Sequence, residues 1–378
     1  MSPGRPSLVP KFARPGRRAR SSSLSSWSWP LLLGLLTAGC TPTDGELYRR
    51  VIAGVAQVVT VQGLAQPGPT VPLASLAATD DEGTPTAGTA AQWITASLGG
   101  GVLLDEQGHV ATAAHVLDGA QKIGVVFDGN QRARAQVVGL DPLTDLALLK
   151  IATLPPGVRP LTLGGGEEAR VGDRVLVIGN PDGLPLTLTG GRVSGLHRRS
   201  AEGQRVYHDY LQTDAALFPG CSGGPLLDDR GRVLGLVISI DRERRGVGFA
   251  LPSHRAKPLL DQLIGQGRVV RGWIGVTAKD LEAEVERLLG LRRGQGAQIW
   301  RLVPGTPGEQ AGLRPGDVVL EVAGQPVEGR RDLAWAIALA PPGRELKLKV
   351  LRGKEQREHR VLPVLRPEPL PEGAKNAF

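Results

Sequence analysis

Two cysteines in 378 residues, Cys40 and Cys221, are too few for a disulfide framework. The six histidines (His109, His115, His197, His208, His254 and His359) form no paired metal-ligand spacing, and no cysteine pair supplements them. No metal site and no cofactor are therefore expected. No apolar run reaches the ~20 residues that a membrane-spanning helix needs. The net charge of +8 also lacks a basic face behind it. Arg5, Lys11, Arg14, Arg17, Arg18 and Arg20 sit within the first forty residues with no acid among them. The remaining 39 basic residues meet 37 acidic ones, which argues against a nucleic-acid partner. Helix-rich runs are missing from the first two-thirds. Instead, 52 glycines, 30 prolines and 41% hydrophobic residues favour short strands and turns around packed cores.

Residues 1–40 read as a targeting segment: a basic stretch, then an apolar run of about a dozen residues from Pro30 to Cys40. Ala38-Gly39 directly before Cys40 is similar to a bacterial lipoprotein cleavage site, which would make Cys40 the lipidated first residue and leave no intrachain disulfide possible. An ordinary cleaved signal and an uncleaved anchor are the alternatives. All three carry the rest of the chain out of the cytoplasm, two of them with a membrane attachment. Residues 41–50 are expected to be a tether, 51–266 and 268–366 two folded domains, and 367–378 a Pro-rich tail. Val51 to Val61 suggests a first strand, and 62–92, rich in Pro, Gly, Ala and Thr, a flexible excursion. Strand patterns recur near 101–104, 110–113, 123–127, 135–140 and 146–151. A second set lies near 174–179, 186–194, 207–213, 225–227, 233–240 and 247–250. Two groups of about six match two packed antiparallel barrels. Leu259, Leu260, Leu263 and Ile264 then recur at helical spacing, and Leu281, Val285, Leu288 and Leu289 suggest one stripe of a further helix.

The residues that carry chemistry are spread over a hundred positions. Ser222 sits in a glycine-dense turn, Gly220-Cys221-Ser222-Gly223-Gly224, after a strand-like run. A hydroxyl on a sharp turn, with backbone N–H groups of Gly220 and Ser222 facing the oxyanion, is what attack on a peptide carbonyl needs. His115 ends the small-residue strand Ala111-Thr112-Ala113-Ala114, and Asp145 opens the apolar strand Leu146-Ala147-Leu148-Leu149. The order His, Asp, Ser is one of those that build a catalytic triad. Asp141 is a nearby rival to Asp145, Asp214 reads as a structural turn group, and Cys221 as a small buried turn residue or, less favoured by the register of Gly223-Gly224-Pro225, a rival nucleophile.

With Gly99-Gly100-Gly101-Val102, Thr144-Asp145-Leu146-Ala147, Gly179-Asn180-Pro181-Asp182-Gly183, Gln212-Thr213-Asp214-Ala215 and Gly246-Val247-Gly248-Phe249-Ala250-Leu251-Pro252 added, the chain from about Val51 to Leu365 resembles the HtrA (Deg) serine proteases. It departs from them at Cys221, where they usually carry asparagine, and at Ala113-Ala114. The resemblance implies a mostly β chain, a chymotrypsin-like double β-barrel followed by a C-terminal PDZ domain. It further implies an ATP-independent endopeptidase of the bacterial periplasm, acting on unfolded or regulatory proteins, and a homotrimer. His115, Asp145 and Ser222 would be catalytic, with the oxyanion hole on the turn Gly220, Cys221, Ser222. Leu217, Phe218, Ile238 and Ile240 would wall a pocket for a small or medium aliphatic side chain. Residues 303–320, VPGTPGEQAGLRPGDVVL, are very like PDZ domains. Such a domain adds an exposed C-terminus to a sheet edge. Carboxylate capture falls to Trp273, Ile274, Gly275 and Val276, while Leu333 and Ile337 are either groove wall or core. The alternative is a catalytically silent chaperone or scaffold on the same fold.

Overall fold

The computed structural model describes residues 42–61, 96–198, 207, 209–240 and 246–368. The targeting segment with Cys40, the whole 62–92 excursion, the loop 241–245 and the Pro-rich tail beyond residue 368 lie outside the described residues.

Where a tether was expected, the chain forms helix α1, Asp44–Val51. Thr43 and Glu46 make a reciprocal capping box, with Thr43 accepting from the Glu46 N–H and Glu46 accepting from the Thr43 N–H at 2.8 Å. Leu47 is 1% exposed, so burial of an apolar stripe completes what the caps begin. This corrects the reading of 41–50, and it delays the first strand to Val55.

Six antiparallel strands close the first barrel: β1 (Val55–Val61), β2 (Ala96–Leu103), β3 (His109–Ala113), β4 (Lys122–Phe127), β5 (Gln131–Asp141) and β6 (Leu146–Ile151). Their order is β1-β2-β3-β6-β5-β4. The second barrel, ordered β10-β11-β12-β9-β8-β7, repeats the plan. Its strands are β7 (Arg174–Gly179), β8 (Thr187–Arg198), β9 (Tyr210–Thr213), β10 (Pro225–Leu227), β11 (Val233–Ile240) and β12 (Gly248–Pro252). The apolar runs of β6 and β7 are buried almost throughout because these strands face core on both sides.

Helix α2, Ser253–Gln266, buries Leu259, Leu260 and Leu263 and ends at Gly267, whose φ of 69° is the left-handed cap that glycine supplies readily. The C-terminal domain comes next. Strand β13 (Gly272–Trp273) leads into β14 (Val276–Asp280), helix α3 (Ala283–Leu289), β15 (Ala297–Leu302), α4 (Pro307–Gln310), β16 (Val318–Val322), β17 (Gln325–Pro326), α5 (Arg330–Leu339), β18 (Leu346–Arg352), β19 (Glu355–Val361) and β20 (Val364–Leu365). The main sheet runs β14-β15-β16-β18-β19, with β17 on β16, and β20 pairs β13. Leu333 and Ile337 of α5 are buried in this domain's core. Leu288 is 69% exposed, so it falls off the stripe expected for α3. The packing partners there are Leu281, Leu289 and Leu291, which meet Val318, Leu320 and Leu351.

Two polar clusters join the C-terminal domain to the barrels. Arg271 grips Asp141 with two bonds, 2.8 and 2.5 Å, both side chains buried, and stacks over Tyr207 at 4.8 Å. Asp209, 1% exposed, is bonded by His197 Nδ1 at 2.8 Å and Arg255 Nε at 2.8 Å and forms an ion pair with Arg331, whose Nε lies 3.0 Å away. Arg255 also reaches Asp332 at 2.6 Å and lies over Trp335. Burial by itself would raise the Asp209 pKa. The His197 hydrogen bond and the Arg255 and Arg331 charges outweigh it and hold the group at about 2.

Candidate active site

His115 stands on a short 3-10 turn, Ala114–Leu117, that begins where β3 ends. Val116 and Leu117 are buried and anchor the turn, while the imidazole is 41% exposed and open to a substrate. Asp145 occupies the turn before β6 with φ 62°, a conformation that few residues other than glycine adopt and that needs outside support. The support comes from the histidine turn itself. Asp145 Oδ1 accepts the His115 N–H at 2.8 Å, Oδ2 meets His115 Nδ1 at 2.6 Å, and the Asp145 carbonyl accepts the Ala114 N–H at 3.0 Å. The carboxylate thereby fixes the ring's orientation and leaves Nε2 to face outward. Asp141, the rival, is committed to Arg271 and to the Thr144 hydroxyl. Asp214 accepts the Arg192 N–H at 2.6 Å, a structural bond.

The Ser222 turn is built from both barrels. Val237 brackets it, accepting from the Gly223 N–H at 2.6 Å and donating to the Gly224 carbonyl at 2.9 Å. From the first barrel, the Gly100 N–H donates to the Ser222 carbonyl at 2.7 Å. A Cβ on Gly223 would lie 2.4 Å from Thr112 Oγ1 and 2.7 Å from Ala113 N, which puts the turn hard against the end of β3 that leads into the His115 turn. Gly220 has φ 97°, and a Cβ there would come 1.9 Å from the Asn180 carbonyl. Only glycine fits both the backbone angle and the space.

The N–H groups of this turn divide cleanly. Cys221 N–H is spent on the Phe218 carbonyl at 3.0 Å, so Cys221 does not share in an oxyanion site through its backbone. Among the described residues, the N–H groups of Gly220 and Ser222 have no protein acceptor. The Cys221 thiol turns the other way, 1% exposed in the second barrel's core and packed on Gly179, which removes it as a rival nucleophile in this conformation.

The pocket residues separate. Phe218 is 43% exposed, and Leu217 packs on Gly248, whose added Cβ would fall 2.1 Å from Leu217 Cδ1. Ile238 is fully buried in the large core cluster and does not wall a pocket. Its neighbour Val237 shares the cluster of Leu217 and Cys221 instead. A bulge between Val237 and Ser239 shifts the β11–β12 register, so side-chain alternation from Ile240 backward misassigns the face. Of Ile240 only the backbone, paired with Gly248, is described. In the C-terminal domain, Trp273 pairs with Val364, and Gly275 has φ 76° with Thr306 packed where a side chain would stand. Ile274 and Gly275 carbonyls accept from Gly308 and Val303, both at 2.8 Å. Leu333 and Ile337 lie in the core. Asn180 went unassigned as a positioning residue: it is 2% exposed, and its N–H donates to the Gly220 carbonyl at 3.2 Å. The Gly-Asn-Pro run that holds it was visible in the sequence, but the contact across forty residues was not.

Fold and geometry define a class, that of trypsin-like double barrels with a PDZ domain appended. Residues 99–236 match the family described as "Trypsin-like peptidase domain", and 272–362 match "PDZ domain". A solved structure titled "HtrA-type protease AlgW with tripeptide" is 32% identical, with TM-score 0.68, over 87% of this chain and 99% of that one. The serine endoprotease from Yersinia pestis is 28% identical with TM-score 0.58, over 86% and 98%. Among curated relatives, the "Probable periplasmic serine endoprotease DegP-like" of Chlamydia trachomatis is 41% identical over 264 residues, 67% of this chain and 51% of that protein. Its Halomonas elongata counterpart is 39% identical over 264 residues, 69% and 55%. The chain thus spans about half the length of the curated relatives it matches. It belongs to the HtrA family of serine proteases.

Proposed function

We propose that this chain is an ATP-independent serine endopeptidase of the bacterial periplasm, cutting unfolded or regulatory proteins with His115, Asp145 and Ser222. The observation that carries the reading is the 2.6 Å contact of His115 Nδ1 with Asp145 Oδ2 beside a serine turn with two N–H groups open to a ligand. In the reaction, Ser222 Oγ attacks the scissile carbonyl carbon while His115 Nε2 takes its proton. Negative charge collects on the carbonyl oxygen between the Gly220 and Ser222 N–H groups. Preorganised donors of this kind are worth roughly 3–4 kcal/mol each to the transition state. Asp145 stabilises the imidazolium, which then protonates the leaving amine as the C–N bond breaks. Water, deprotonated by His115, releases the acyl group from Ser222. Leu217 and Phe218, with Val237 behind them, suit a small or medium aliphatic guest.

The edge strand β14, which begins at Val276 directly after Trp273-Ile274-Gly275, serves to capture exposed C-termini by strand addition. Lipid attachment at Cys40 and assembly into a homotrimer complete the reading. Incubation of the wild-type chain and Ser222→Ala with a reduced, unfolded protein, without nucleotide, tests it. Fragments from the wild type alone support an endopeptidase, and identical behaviour of both proteins leaves the silent scaffold.

A further inference from the structure

Strand β14 and helix α5 run antiparallel. A Cβ on Gly272, just ahead of β14, would lie 2.3 Å from the Ala340 carbonyl at the C-terminal end of α5. At the other end of β14, Asp280 Oδ1 accepts the Arg330 N–H at 2.7 Å, where α5 begins. Strand β14 is terminal in its sheet, and among the described residues no strand pairs with its outer edge. A peptide whose carboxylate is held at residues 274–276 must run along that edge toward Asp280. At ~3.3 Å per residue, the side chain about four positions upstream of the carboxylate arrives beside Asp280 and Arg330.

A cavity of about 290 Å³ opens at that point, walled by Asp280, Glu286, Glu328 and Trp335 from the C-terminal domain and by His197 and Tyr207 from the second barrel. Two groups in its wall are buried without the partner their chemistry calls for. Glu286 is 7% exposed, and its carboxylate receives one neutral donor, the Gly294 N–H at 2.6 Å. Among the described residues it has no ion-pair partner. Trp335 Nε1–H is buried with no acceptor. The two arginines nearby are engaged, Arg331 with Asp209 at 3.0 Å and Arg330 with Asp280 at 3.4 Å. A buried carboxylate lacking a counter-charge is unfavourable, and a cation delivered by a ligand relieves it.

We infer that this cavity is a subsite of the peptide groove that takes a lysine or arginine side chain about four residues upstream of a bound C-terminus. Glu286 and Glu328 supply the negative charge, and Tyr207 and Leu281 cover the aliphatic stem. The subsite rests on the reading that the β14 edge captures C-termini, and its walls come from both domains. Fluorescence anisotropy on the full chain carrying Ser222→Ala, with labelled ten-residue peptides sharing one apolar C-terminal tripeptide, tests it. The residue four positions upstream of the last is varied among Lys, Ala and Glu. The Lys peptide should bind about tenfold tighter than the Glu peptide. Glu286→Gln, which keeps an acceptor for Gly294, should bring the two within twofold and leave the Ala peptide unchanged. Glu328→Gln, fully compatible with folding at an exposed site, should narrow the gap in part. Equal Kd for all three peptides, with binding still lost on C-terminal amidation, overturns the subsite while the groove stands. Indifference to amidation overturns the groove, and the subsite with it.

Discussion

Exchange of one carboxylate for an amide at two positions four residues apart should separate catalysis from architecture. Asp145→Asn keeps an oxygen to accept the His115 N–H, now bonded at 2.8 Å, but it removes the charge that sits 2.6 Å from Nδ1. The imidazole then loses its orienting acceptor and its counter-ion, which should lower kcat by ~10⁴-fold, with the melting transition little changed. Asp141→Asn does the reverse. It leaves the Arg271 guanidinium, 6% exposed, without its partner, a loss of about 3–5 kcal/mol when a buried pair is broken from one side. Activity per folded molecule should stay within about threefold. Initial rates on a fluorogenic peptide, normalised by circular dichroism, and urea midpoints on the same samples read both effects. A collapse of kcat in Asp141→Asn with full activity in Asp145→Asn would refute the assignment of the two aspartates.

Gly220→Ala should keep the fold by circular dichroism yet lower kcat by about 10²–10³-fold, because a Cβ 1.9 Å from the Asn180 carbonyl displaces one oxyanion donor; unchanged kcat would mean that this N–H takes no part. Asp209 has a folded pKa of about 2, below the ~3.9 of an unfolded aspartate, so its contribution is complete above about pH 4 and is lost as pH falls toward 2. Wild type should exceed Asp209→Asn by about 2–3 kcal/mol at pH 7, the two urea curves drawing together on acidification, whereas a constant gap would contradict the linkage.

Much of this was legible from short-range pattern. The glycines around Ser222 mark a turn wherever they occur, and strand periodicity located all twelve barrel strands, although β2 begins five residues earlier than its pattern and β1, β5 and β8 each miss one bound by four. Helix α1 was legible too, through Thr43 and Glu46 in capping-box spacing, but its polar composition resembled a linker. What escaped depends on distance along the chain. Asp141 and Arg271 are 130 residues apart, and Asp209 gathers arginines 46 and 122 positions away. No local pattern announces such pairs, since each partner alone looks like a surface charge. Ile238 was misplaced for a different reason: one bulge reverses the parity on which alternation depends.

If the exposed imidazole of His115, steered by the buried Asp145 carboxylate, activates the Ser222 hydroxyl, that oxygen alone should be hyper-reactive. Reaction of the native chain with a fluorophosphonate, followed by peptide mass spectrometry, reads which side chain is labelled. A single adduct on Ser222 is expected, absent from Ser222→Ala and strongly slowed in His115→Ala. An adduct on Cys221, or equal labelling of wild type and Ser222→Ala, would contradict it.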